Sequence, residues 1–196
     1  MTELLDTLPL IVICGASLIL FLNLSWRWNI IALSIQYVGV FWLVLTLWPT
    51  GLAAVKLVSG LMSAAIIGSS ASEEIINSKT ILFSSKEEIR FKIVLWFVIL
   101  SMVLAIIPRI TVWLPLSGII VLGSLLLIGI GLMQLSIANE PYRIIFGLLT
   151  VLSGFEIIYA GLESSVLVAG VLSIITLGIS FIGVFISQIR NEESSQ

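Results

Sequence analysis

The sequence predicts an all-α integral membrane protein of seven transmembrane helices. Three observations carry that prediction. Apolar runs of membrane length recur along the chain. Hydrophobic residues make up 59% of it and charged residues 10%, and the mean hydropathy is +1.22, whereas a soluble domain carries about 45–50% apolar and about 25% charged residues. Finally, the few cations fall on one side of the membrane if the chain crosses it seven times.

The first span is read at 8–24. The segment before it, Met1-Thr2-Glu3-Leu4-Leu5-Asp6-Thr7, is acidic and lacks the positive n-region of a signal peptide, so the span is expected to be retained. The second, 29–48, follows Ser25-Trp26-Arg27-Trp28, and the third, 51–70, follows Trp48-Pro49-Thr50-Gly51. Both links carry the aromatic or turn residues that suit an interface. The long link 71–92 contains Ser85-Lys86-Glu87-Glu88, the spacing of a capping box that starts a helix. That helix runs into the fourth span, 91–107, which is the shortest, and Pro108 is expected to end it. The fifth span is read at 114–137, the sixth at 144–162 and the seventh at 164–187. Most reach the roughly 20 residues that a bilayer requires.

Charge placement supports this count. With the N-terminus outside, Arg27, Lys79, Lys86, Arg90, Lys92, Arg143 and Arg190 all fall on the cytoplasmic side, Arg109 falls outside and Lys56 lies within a span. Cytoplasmic loops are the ones enriched in Lys and Arg. Removing the fourth span scatters the later charges over both sides. The expected protein is a multi-pass component of the cell (cytoplasmic) membrane with its C-terminus inside.

Two stretches are alike. Trp28-Asn29-Ile30-Ile31 opens the second span much as Tyr142-Arg143-Ile144-Ile145 opens the sixth, Ser59 falls opposite Ser173 at the same offset, and Leu8-Pro9-Leu10 matches Leu114-Pro115-Leu116. Two three-helix repeats follow, helices 1–3 and 5–7, joined by helix 4. One intervening span makes them parallel. The expected organisation is a first unit at 1–70, a cytoplasmic link with helix 4 at 71–113, a second unit at 114–190 and a cytoplasmic tail at 191–196.

Composition excludes several functions. The net charge of −2 gives no case for a nucleic-acid partner. The single cysteine, Cys14, forms no intrachain disulfide and reads as a small packed hydrophobe. There is no histidine, which removes the commonest metal and proton-shuttle ligand and bis-histidine haem. Neither a Gly-rich phosphate loop nor a Ser/His/Asp set is present. The chain is expected to hold no metal, no cofactor and no catalytic site of its own.

What remains are two charges in apolar runs. Glu156 lies in the sixth span and Lys56 in the third, and a membrane carboxylate or ammonium marks an ion path, a charge partner or a subunit contact. Both lie a few residues below the outer ends of their helices, so they share a layer. Either they pair across the interface, or Lys56 snorkels to the surface. Gly147, Gly154 and Gly161 recur every seven residues and form one smooth packing face. Glu156 points away from it, with Ser153, Tyr159 and Glu163 on its own side. Lys56, Ser59, Ser63 and Ser70 form a stripe on helix 3, and Ser173, Thr176, Ser180 and Ser187 form one on helix 7. Such hydroxyls either pack helices by bonding to carbonyls or line a hydrated seam. The candidate proton or ion path is therefore Glu156, Lys56, Ser59, Ser63, Tyr159, Ser173 and Thr176.

The segment from Ala138 to Arg190, with Gly154-Phe155-Glu156-Ile157, resembles the small three-helix subunit K (chain 4L) of complex I, whose second helix carries a Gly-Leu-Glu-Ile type motif. The whole chain resembles hydrogenase-4 component E, a larger relative with a subunit-K-like second half and a lysine in an apolar run where Lys56 falls. The resemblance implies a subunit of a complex-I-like or membrane-bound-hydrogenase-like assembly, with antiporter-like membrane partners and a peripheral redox arm. It implies a role for Glu156 in proton or cation translocation. The chain departs from that pattern in two ways. The stretch Leu167–Phe181 holds no second acid, and Gly60 and Leu61 stand where a proline follows the family lysine. Two other readings stay open: a purely structural membrane subunit of a respiratory or photosynthetic complex, and a stand-alone small transporter or channel.

Overall fold

The computed structural model describes residues 2–22, 25–70, 86–138 and 140–194. They form seven helices: α1 Thr2–Leu22, α2 Trp26–Leu45, α3 Thr50–Ser69, α4 Lys86–Trp113, α5 Gly118–Ile137, α6 Pro141–Leu162 and α7 Val166–Ser194. No strand occurs among the described residues. The helix α2 and the five from α3 to α7 are long and apolar enough to cross a membrane, and α1 holds a shorter apolar stretch, Thr7–Leu22. An apolar chain in hydrocarbon has no water for its backbone groups, so it closes those hydrogen bonds within each segment as helix.

Local chemistry sets the helix ends. Ser25 caps α2, its hydroxyl accepting from the Trp28 N–H at 3.5 Å. Pro141 stands in the first turn of α6, where its missing N–H has no partner to lose. Ser85, the expected cap of α4, lies outside the described residues, as does Lys79 in the same link.

Several boundaries differ from the sequence reading: α1 begins at Thr2 and not at residue 8, and α2 ends at Leu45 and not at residue 48. Pro108 does not end α4, which runs on through Thr111 to Trp113. The proline removes one backbone bond, and the helix resumes at once: the Leu114 N–H reaches the Ile110 carbonyl at 2.9 Å. Residues 114–117 form the link before α5 instead of its first turn. Pro9 lies inside α1 while Pro115 lies in that link, so the two Leu-Pro-Leu segments do not occupy equivalent places. At the far end α7 continues as helix to Ser194.

The helices pack as two layers of three. In one, α2 lies between α1 and α3; in the other, α6 lies between α5 and α7. The layers meet face to face, α1 on α5, α2 on α6 and α3 on α7, and α4 sits at the edge against α1 and α5. Two apolar clusters fill the junction. One gathers Trp26, Leu33, Ile67, Tyr142 and Phe146, with the Trp26 and Tyr142 rings edge to face at 4.5 Å. The other gathers Ile13, Leu43, Trp48, Ala53, Ile157 and Ala160. Between them lies a belt of buried polar side chains.

Candidate functional site

The belt is assembled by helix periodicity. Lys56 lies about 9 Å along α3 from Thr50, and Glu156 about 9 Å along α6 from Leu162, at 1.5 Å per residue. The Trp48 indole joins the Glu163 carbonyl beside these two helix ends, so the ends lie together and the two charges meet at one level. The Lys56 ammonium donates to Glu156 Oε1 at 2.5 Å, with both side chains only 2% exposed. An unpaired charge at the centre of a membrane helix costs about 2.5–3.5 kcal/mol on insertion scales, and pairing offsets much of that cost. Lys56 therefore does not snorkel.

Four helices contribute to the surroundings. From α7, the Thr176 hydroxyl lies 3.4 Å from the same carboxylate oxygen while bonding the Leu172 carbonyl at 2.8 Å. From α3, the Ser63 hydroxyl crosses the layers to the Thr176 carbonyl at 3.2 Å. From α2, Gln36 Nε2 donates to the Ser153 hydroxyl at 3.5 Å, and Ser153 in turn donates to the Leu149 carbonyl at 2.6 Å. The Tyr37 phenol stands beside Ser153 and within the field of Glu156. Its ring lies on the bare backbone of Gly60, where a Cβ would enter the ring. Gln36, Tyr37, Ser63, Ser153 and Thr176 are all buried.

Of the residues singled out in the sequence, Lys56, Glu156, Ser63 and Thr176 come together here. Ser59 and Ser173 are buried nearby but bond within their own helices, to the carbonyls of Lys56 at 3.1 Å and Ala169 at 2.8 Å. Ser180 and Ser187 do the same, to Thr176 and Gly183. Tyr159 is not part of the belt. It stacks on Phe155 with ring centroids 6.5 Å apart, and its hydroxyl reaches Glu163 in an exposed contact at 3.4 Å.

The glycine face of α6 packs against α5. A Cβ at Gly154 would lie 2.6 Å from the Ser124 carbonyl oxygen, one at Gly147 would lie 3.2 Å from the Gly131 carbonyl oxygen, and Gly161 abuts Leu116. This close approach fixes the rotation of α6 and so aims Glu156 at α3 and α7. Trp48 pins this end of the junction through its indole N–H to the Glu163 carbonyl at 3.1 Å.

Gln36 and Tyr37 are the belt residues that the sequence reading missed. Neither is charged, and both sit in an otherwise ordinary apolar helix. The available signal was their adjacency: a glutamine next to a tyrosine in mid-span brings two hydrogen-bonding groups to membrane depth.

Chemically, the belt holds one carboxylate and one ammonium in hydrogen-bonding contact, buried inside the bundle, with a phenol, an amide and hydroxyls around them. A proton can pass between Lys56 and Glu156 without change in net charge, and the neighbouring dipoles can stabilise either form. No family model, curated protein or solved structure matches the chain.

Proposed function

We propose that the chain is an integral membrane subunit of a complex-I-like or membrane-bound-hydrogenase-like energy-converting assembly, in which Glu156 takes part in proton or cation translocation or its coupling. The observation that carries this reading is the Lys56–Glu156 pair, buried between two three-helix layers. A charge pair there offsets its own burial cost without adding stability over an apolar pair of equal size. Its presence is better explained by use than by packing. The resemblance to subunit K and to component E points the same way, because the lysine and the glutamate fall where those families carry theirs.

On this reading all seven helices cross the cell membrane, with the N-terminus outside. Helices α1–α3 and α5–α7 are parallel repeats, and each contributes one charge to the pair. The partners are antiporter-like membrane subunits and a peripheral arm that performs the redox chemistry. The test has two stages. A tagged chain is withdrawn from its native membrane in mild detergent, and its companions are identified by mass spectrometry; antiporter-like and redox subunits are expected. In the assembly so defined, Glu156→Gln is expected to reduce proton translocation at least tenfold while the complex still forms. Recovery of the chain alone overturns the subunit reading, and unchanged translocation overturns the role of Glu156.

A second reading, a purely structural membrane subunit, is favoured by one observation. The hydroxyls of Ser59, Ser173, Ser180 and Ser187 are spent on carbonyls of their own helices. Normal assembly with full translocation in Glu156→Gln selects that reading.

A further inference from the structure

The amide of Gln134 on α5 is unmatched. The residue is only 9% exposed, yet neither its Nε2 nor its Oε1 has a hydrogen-bond partner. The side chain lines a small cleft between α1, α4, α5 and α6, together with Leu20, Phe21, Lys92, Arg143 and Phe146. The cleft holds about 30 Å³. One water needs roughly 10–15 Å³ and two to four polar partners, so the space suits about two water molecules and nothing larger. Water both donates and accepts, which matches an amide unmatched at both atoms. Behind the cleft runs a line of buried polar side chains. On α6, Phe146, Thr150 and Ser153 share one face at i, i+4 and i+7, and the Thr150 hydroxyl donates to the Phe146 carbonyl at 2.7 Å. Phe146 and Ser153 are about 10 Å apart along the helix axis. On α2, Asn29 and Gln36 share one face at i and i+7. The Trp26–Tyr142 ring contact and the Gln36–Ser153 bond set the register of α2 on α6 and bring Asn29 to the level of Phe146. Asn29, Gln36, Thr150 and Ser153 are each no more than 3% exposed. Where the line meets the belt, Gln36 Oε1 is again without a hydrogen-bond partner.

We propose that this cleft is a water inlet. Water held by the Gln134 amide continues along the seam of α2 and α6, past Asn29 and Thr150 to Gln36 and Ser153, and connects the Lys56–Glu156 pair with the end of the bundle that carries Lys92 and Arg143. Buried water bonds to polar groups that the protein itself leaves unsatisfied, and the two unmatched amides, Gln134 and Gln36, mark the two ends of the route. The hydroxyls of Ser59, Ser173, Ser180 and Ser187 are spent within their own helices and mark no such route along α3 or α7. The inlet deepens the reading of Glu156 as a translocation residue, because it names the end of the bundle with which the pair exchanges protons; it rests on that reading for this use alone.

The test measures the access of silver ion, a small water-borne thiol reagent, to single cysteines in the full chain. The one native cysteine, Cys14, is first removed as Cys14→Ser. In that background Ser153→Cys places a thiol on the seam, and Val44→Cys places one in the apolar cluster, where Val44 is equally buried. The Ser153→Cys thiol is expected to react at least tenfold faster than the Val44→Cys thiol, with the extent of reaction read by mass spectrometry. Adding Gln134→Leu, which keeps the side-chain volume and removes both unmatched atoms, should slow the seam thiol at least fivefold and leave the Val44→Cys thiol unchanged. Each variant must keep the native thermal midpoint. Thr150→Cys replaces Ser153→Cys, and Gln134→Met replaces Gln134→Leu, where the first choice does not fold. Equal rates at the seam and in the apolar cluster overturn the inlet, and so does a seam rate that Gln134→Leu leaves unchanged. Silver access needs neither partner subunits nor turnover. Fast access with unchanged translocation in Glu156→Gln therefore keeps the inlet and removes the translocation reading, whereas slow access with reduced translocation does the reverse.

Discussion

Lys56 and Glu156 are each tolerable only because of the other. A buried ion deprived of its partner typically costs about 3–5 kcal/mol, whereas replacing both members by apolar groups of similar volume is neutral or stabilising. Lys56→Met alone is therefore expected to destabilise the chain by about 3–5 kcal/mol and to lower its thermal midpoint in detergent. The double variant Lys56→Met with Glu156→Met should recover most of that loss. A double variant no better than the single one would show that the 2.5 Å contact carries no mutual stabilisation. Both charges were legible in the sequence because a charge stands out in an apolar run, and their shared depth followed from counting residues to the same side. The rest of the belt was less legible. Tyr159 and Ser153 were grouped with Glu156 because each is three residues from it. Three residues rotate a helix by about 300°, so the two flank Glu156 on opposite sides. Ser153 turns toward Gln36 on α2, while Tyr159 turns outward to Phe155 and Glu163.

Among the elements, the α5–α6 contact decides where Glu156 points. Periodicity alone identified the face formed by Gly147, Gly154 and Gly161. Identifying α5 as its partner required the fold, because a smooth face fits any neighbour. At Gly154 the atom that an added Cβ would meet is backbone, the Ser124 carbonyl oxygen at 2.6 Å, with the Ile128 backbone nitrogen at 2.9 Å. Neither can rotate aside as a side chain would. Gly154→Ala is expected to force α6 off α5 and to cost about 1–3 kcal/mol, the usual penalty for overpacking. Gly178 on α7 provides the contrast, since a Cβ there meets nothing within 4 Å. Gly178→Ala should stabilise by about 0.4–1 kcal/mol by reducing the freedom of the unfolded chain. Thermal unfolding of the two variants side by side checks both signs. The element reading failed at Pro108 for a related reason. Proline is a strong punctuator in a soluble chain, but in a membrane helix the neighbouring backbone and hydroxyls can accommodate the lost bond, and α4 continues through it.

At the scale of the whole molecule, the pairing of layers carries information that neither layer holds alone. The contacts run α1 to α5, α2 to α6 and α3 to α7, in the same order along both layers. Two units related by a twofold axis through their interface would meet in reverse order, α1 on α7 and α3 on α5. On the proposed two-repeat reading the units are thus stacked by a shift, and each uses a different face of the same design. The residues agree with this. Lys56 and Gly60 face the junction, and at the repeat offset given by Ser59 and Ser173 their counterparts are Gly170 and Ile174. A Cβ at Gly170 would meet nothing within 4 Å, and Ile174 is 71% exposed. A stack built by a shift does not close on itself; like any head-to-tail contact, it leaves a complementary face open at each end. The open face of α7 is then where a further helical layer would continue the stack, which suits a subunit in a row of membrane subunits. By contrast α4 sits at the edge of both layers, outside the direction of stacking. Ile174→Gln is expected to reduce recovery of membrane partners in the pull-down at least severalfold, while Val98→Gln on the exposed side of α4 leaves it unchanged. Each chain must first match the native thermal midpoint, so that lost partners reflect the face and not the fold. Equal recovery in both variants would assign the partner contact to neither helix face and remove the shifted stack as its explanation.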